Sequence, residues 1–182
     1  MKNLEKKLKN CLKKRKNNIT LYACFFMYTF RYTMISKPKI HSHYIQLLEE
    51  KIKTLRFQIN DLAEDAQNDA KGSAGDKHET ALSMMHLEQE KLNQKLKENL
   101  EQLTLLESID CSKQNTIVAL GSLVITDKFT FYISSALPKV TIDNQEIIAL
   151  SLQSPLGLAM KGKTKNDSFS FNGINYTIQE IY

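Results

Sequence analysis

The feature that most constrains this chain is a pair of heptad seams separated by a short break that carries glycine. Between His41 and Ala70 the apolar residues Ile45, Leu48, Ile52, Leu55, Ile59, Leu62 and Ala66 recur in alternating steps of three and four. Glu, Lys, Gln, Arg, Asn and Asp fill the positions between them, so the other faces are wet. Lys71-Gly72-Ser73-Ala74-Gly75 interrupts the pattern. A second seam then runs through Leu82, Met85, Gln89, Leu92, Leu96, Asn99, Leu103 and Leu106. Gln89 and Asn99 are polar interruptions of the kind that fix register at some cost in stability. So short a connection makes the two helices antiparallel neighbours. Thirty helical residues give an arm of roughly 45 Å. Such an arm has little core of its own. It must project from another part of the molecule or pack on a partner, a homodimeric helical bundle being the plainest case.

Beyond the second seam the period changes. Thr116–Thr126, Lys128–Ser134, Ile147–Leu152, Ser168–Phe171 and Tyr176–Tyr182 read as strands, short and rich in β-branched or aromatic residues. Asn172-Gly173 is a hairpin turn signal. Ser154-Pro155 predicts a helix start, with serine at the cap and proline in the first turn. That helix should reach about Met160 and end at Gly162. The expected fold class is therefore α+β, an N-terminal antiparallel helical hairpin followed by a small sheet domain with one short helix. The expected boundaries are 1–37 for an extension, 38–110 for the coiled coil with an acidic tip at 71–80, and 111–182 for the sheet domain.

The net charge of +5 belongs to the extension. Residues 1–33 hold nine basic residues and one acid, Glu5, a net of +8; the other 149 residues hold 16 basic and 19 acidic groups, a net of −3. A body of that sign has no general electrostatic drive towards phosphate backbones. The extension couples its lysine run to an apolar stretch from Ile19 to Phe30, too short to span a membrane and followed by no small-residue cleavage site. Three accounts of it compete: a weak membrane-surface anchor, a disordered basic tail, or translated upstream sequence with the true start at Met34. Cys11, Cys24 and Cys111 are odd in number and far apart, which fits a reducing compartment and no disulfide framework.

Specific residues now narrow the class. Val118-Ala119-Leu120-Gly121-Ser122-Leu123-Val124 is followed by Ser151 to Lys163, reading S-L-Q-S-P-L-G-L-A-M-K-G-K, then Asp167, then Tyr176-Thr177-Ile178-Gln179-Glu180-Ile181-Tyr182. This S-P-x-G-x-A, G-K, D and Y-x-I-x-x-I series resembles the C-terminal, FKBP-like domain of the Gre family of bacterial transcription elongation factors. Gly75-Asp76-Lys77-His78-Glu79-Thr80-Ala81 is similar to that family's G-D-x-x-E-N-A tip. The resemblance covers about residues 41–182. It implies a cytoplasmic factor whose partners are RNA polymerase and the nascent RNA in its active centre, with no small-molecule substrate and no membrane. The arm would enter the secondary channel so that tip carboxylates help hold a Mg²⁺ ion shared with the polymerase, which then cleaves backtracked RNA. On that reading the chain is no enzyme by itself and binds no cofactor stably. Asp76 and Glu79 would be the metal-handling pair, and Ser154, Pro155 and Gly157 would shape the domain near its docking surface.

The chemistry of the tip admits two readings. Asp76 and Glu79 stand three apart at a helix start and share one face, so together they can occupy positions on a Mg²⁺ ion. The same spacing forms a capping box, in which both carboxylates satisfy free backbone N–H groups. From Glu64 to Glu79 five acids face Lys71 and Lys77, a net of −3. Thr80, Leu82 and Ser83 replace the family's Asn, second acid and Tyr, which bears on cleavage more than on polymerase binding. Two further readings therefore stand: a polymerase-binding regulator without cleavage activity, and a structural coiled-coil dimer. His41, His43, His78 and His86 complete no metal pattern with Cys or acids. No G-x-G-x-x-G, P-loop, H-E-x-x-H or G-x-S-x-G motif occurs.

Overall fold

A computed structural model describes residues 36–69 and 76–182. The side chains of residues 68, 69, 76–79 and 81 fall outside that description. The extension at 1–33 and the Gly72 and Gly75 break also lie outside the described residues. The described chain forms one unit, Ser36–Tyr182.

Two long helices come first, α1 (Lys37–Asp69) and α2 (Asp76–Glu107). At about 1.5 Å per residue each is about 50 Å long. Every residue of both predicted seams is buried or half-buried, the polar Gln89 and Asn99 included. Leu48, Ile52, Leu92 and Leu106 are buried outright. Beyond Ile52 on α1, no described residue of that helix is buried. The outer part of the arm therefore rests on one helix-helix seam alone.

A six-stranded mixed sheet follows: β1 (Leu123–Thr126), β2 (Thr130–Ser134), β3 (Val140–Ile142), β4 (Gln145–Ser151), β5 (Ser168–Phe171) and β6 (Ile174–Ile181). Their order is β3-β4-β2-β1-β6-β5, with β2 and β4 parallel and the other neighbours antiparallel. A short helix, α3 (Pro155–Met160), packs on this sheet, and Val118, Val124, Phe131, Ile133, Met160 and Ile178 form the heart of the core. The α+β fold class expected from the sequence is thus the one observed.

Three local expectations need correction. The long strand Thr116–Thr126 is a strand only from Leu123. Ahead of it Val118 exchanges hydrogen bonds with Gly162 and Lys163, and Gly121 turns the chain at φ +81°. A Cβ at Gly121 would overlap the buried Ile109 side chain, which closes the end of α2 onto the sheet. β3 was not anticipated, because Val140-Thr141-Ile142 is too short to declare a period. Asp143 and Asn144, at φ +50° and +61°, join it to β4 as a two-residue hairpin. β6 also begins two residues earlier than the tyrosine at 176, because Asn172-Gly173 alone makes the turn between Phe171 and Ile174.

Candidate functional site

The arm acts as a positioned element only if its base is fixed, and the base is where sequence reasoning missed most. Lys37, Ile40 and Tyr44 lie on a flank of α1 beside the seam and are all buried against the sheet domain. The Tyr44 ring stacks on Tyr132 of β2, with centroids 6.0 Å apart and planes 10° from parallel. The Tyr44 hydroxyl donates to the Pro138 and Ile147 carbonyls at 3.2 and 3.3 Å. Tyr132 Oη and His41 Nδ1 share a hydrogen bond of 2.8 Å. Lys37 Nζ donates to the Lys113 carbonyl at 2.8 Å and to that of Tyr182 at 3.4 Å. The first turn of the arm is thereby tied to the chain after α2 and to the C-terminal residue.

Burial sets the protonation of this cluster. It pushes the Tyr44 phenol up to about 12 and raises Tyr132 further, so both remain donors. Burial, with Lys37 beside it, lowers His41 and favours the neutral ring. Burial also lowers Lys37 and raises the Cys111 thiol, which keeps that half-buried cysteine protonated. His41, one of the histidines that complete no metal pattern in the sequence, is a structural partner of Tyr132. The steps of three and four that join Lys37, Ile40 and Tyr44 were the signal available for this interface.

At the other end, Asp76 opens α2 and Glu79 lies in its first turn, so the backbone places both on the first turn at the tip. Their side chains are outside the described residues, as are those of Lys77 and His78. Among the described residues no three of His, Cys, Asp and Glu converge in a way that could hold a metal ion. The charge of the arm is strongly divided along its length. From Phe57 through the tip to Glu90 the sequence holds eight acids and two lysines, a net of −6. The inner stretches, 37–56 and 91–107, hold eight basic residues and five acids, a net of +3. The outer half thus carries concentrated negative charge.

The second predicted set is brought together as one turn. Ser154, at φ −67° and ψ 153°, caps α3: its Oγ accepts from the Gly157 amide at 3.0 Å and donates to the Ser151 carbonyl at 2.7 Å. Pro155 supplies the first helical position, where a missing N–H costs nothing. Gly157 is buried, and glycine fits there because a Cβ would overlap the Ser151 carbonyl oxygen and stand 2.9 Å from Leu152 Cα. These three residues build the turn, and the exposed Leu158 stands beside them. Further on, Asn166 occupies the left-handed region at φ +71°, which asparagine tolerates better than most residues. Asp167 Oδ2 accepts from the Thr164 amide and hydroxyl at 2.7 and 2.9 Å, and those bonds hold its carboxyl below the usual range.

No protein-family model matches the sequence, and no curated protein matches it. Among solved structures, the chain is similar to that of the transcription factor Gfh1 at 16% identity and a TM-score of 0.32, covering 76% of this chain and 92% of that one. Gfh1 of Thermus thermophilus, the GreA factor homolog 1, is similar at 16% identity and 0.29, covering 76% and 94%. Thermus aquaticus Gfh1 gives 16% and 0.29, covering 75% and 92%. No helix among the described residues is long and apolar enough to cross a membrane.

Proposed function

We propose that this chain is a Gre-like transcription elongation factor that lends its arm to RNA polymerase. The arm enters the secondary channel, and the tip stimulates cleavage of backtracked transcripts. The observation that carries this reading is the arm: about 50 Å of paired helix, fixed at its base and acidic over its outer half. The tip and C-terminal motifs of the sequence point the same way. Asp76 and Glu79 are the residues that would hold a Mg²⁺ ion belonging jointly to the polymerase. That ion supplies charge neutralisation and an activated water for phosphodiester cleavage. The factor itself has no catalytic activity on this account, because the remaining ligands and the RNA belong to its partner.

A transcript-cleavage assay on stalled elongation complexes tests the proposal. The wild-type chain should shorten the RNA, and Asp76→Ala or Glu79→Ala should abolish shortening while polymerase binding persists. Unimpaired cleavage by both variants contradicts the assigned chemistry. Thr80, Leu82 and Ser83 favour a second reading, in which the same arm occupies the channel as a regulator without cleavage. Wild-type protein that binds but never shortens stalled RNA selects that reading.

A further inference from the structure

The inner part of the arm is dry and the outer part is not. Ile40, Tyr44, Leu48 and Ile52 of α1 and Leu92 and Leu106 of α2 are buried. Outward of these, none of residues 53–67 of α1 or 82–91 of α2 is buried. The outer seam is half-buried throughout and includes the small Ala66 and the polar Gln89. Phe57, Met84 and Leu87 turn their apolar area to water and add little to it. Helical segments of about a dozen residues without buried contacts are marginal in water.

Charge acts in the same direction. The stretches 57–67 and 80–90 hold Asp61, Glu64, Asp65, Glu88 and Glu90, and no lysine or arginine. Asp61 has Glu64 three residues on and Asp65 four residues on, so like charges share one face of α1. No basic residue stands in the last turn of α1 to offset the negative end of its dipole. Among the described residues only Glu88 of these five acids forms an ion pair, with Lys91 at 3.4 Å, and both side chains are exposed, where such a pair contributes little.

From this coincidence of thin packing and unanswered charge we infer that the outer arm opens and closes as a local unit of its own, and that ionic surroundings gate its closure. Closed, it is the paired helix of the structure. Open, its acids separate while the inner arm and the sheet domain stay folded, because Tyr44, Ile52 and Leu92 hold burial that the outer residues do not share. Screening relieves repulsion mainly in the closed form, where the acids are held close, so salt favours closure. The ion pairs of Lys39 with Asp143, Lys139 with Glu146 and Lys165 with Glu180 have the opposite sign, and salt weakens them. Salt therefore moves the two parts of the molecule in opposite directions. The inference does not rest on the polymerase reading, since it concerns the free chain.

Hydrogen–deuterium exchange of the full chain, read by mass spectrometry of its peptides, tests it, each rate being taken relative to that of the unfolded chain. In low salt, amides of 57–67 and 82–90 should exchange about a hundredfold faster than those of 44–52 and 96–106. Raising NaCl to about 0.5 M should slow the outer amides about threefold and should not slow the inner ones. Asp61→Asn combined with Asp65→Asn should slow the outer amides in low salt and blunt their response to NaCl. Equal protection along both helices, outer exchange that is indifferent to salt or quickened by it, or a double variant that exchanges like the wild type overturns the inference.

Discussion

Tyr44 and Phe57 stand on the same face-rich helix, yet one is wholly buried and the other is 70% exposed. The difference lies in what each part of α1 has to rest on. The inner part packs on α2 and on β2 at once, and its aromatic ring is stacked, bonded and dry. The outer part has a single seam, with half-buried leucines and charged flanks. One helix thus combines a region that fixes direction with a region left free to present a surface, and hydrophobic burial divides the two.

That contrast yields a graded series. Tyr44→Ala should cost about 3–5 kcal/mol, as for other large aromatics in full burial, and should loosen the arm from the sheet. Urea unfolding followed by far-ultraviolet circular dichroism measures it; a loss under 1 kcal/mol would erase the distinction between the regions. Gly157→Ala should cost about 1–3 kcal/mol or more, since its Cβ would meet backbone and not a movable side chain. The same titration should show this loss without a change in arm helicity at low denaturant. Leu62→Ala, in the half-buried outer seam, should cost about 1 kcal/mol.

A smaller effect should appear with pH. His41 in the fold titrates below its ordinary value of 6.5, so the unfolded chain takes the proton first. Stability from this group is whole above about 6.5 and declines as pH falls through that value towards the lowered one. His41→Gln should flatten that decline, read as unfolding midpoints across pH 5 to 8; an unchanged slope would detach His41 from the base. Phe57→Ser should change stability by no more than about 0.5 kcal/mol.

The legibility of these regions in the sequence follows from the range of the forces that shape them. The heptad seams and the capped turn at Ser154 were readable because period and capping are local, and both stand where they were expected. The base was not, because Tyr44 and Tyr132 lie far apart in the chain and only the fold brings their rings together. The break before Leu123 was hidden for a related reason. Val118 looks like strand by composition, but its hydrogen-bond partners come from the loop after α3. Of the two predicted sets of site residues, Ser154, Pro155 and Gly157 are accounted for by the turn they build, while Asp76 and Glu79 are placed by the backbone of the tip alone.

The central claim is that the arm carries its acidic end into the catalytic cavity of another machine. Placing a photo-activated cross-linking residue at Lys77, and irradiating the protein bound to a stalled polymerase with labelled RNA, tests it most directly. The account predicts cross-links to the 3′ end of the transcript and to residues around the polymerase metal site. Cross-links confined to the polymerase exterior, or to a second copy of this chain alone, would contradict it.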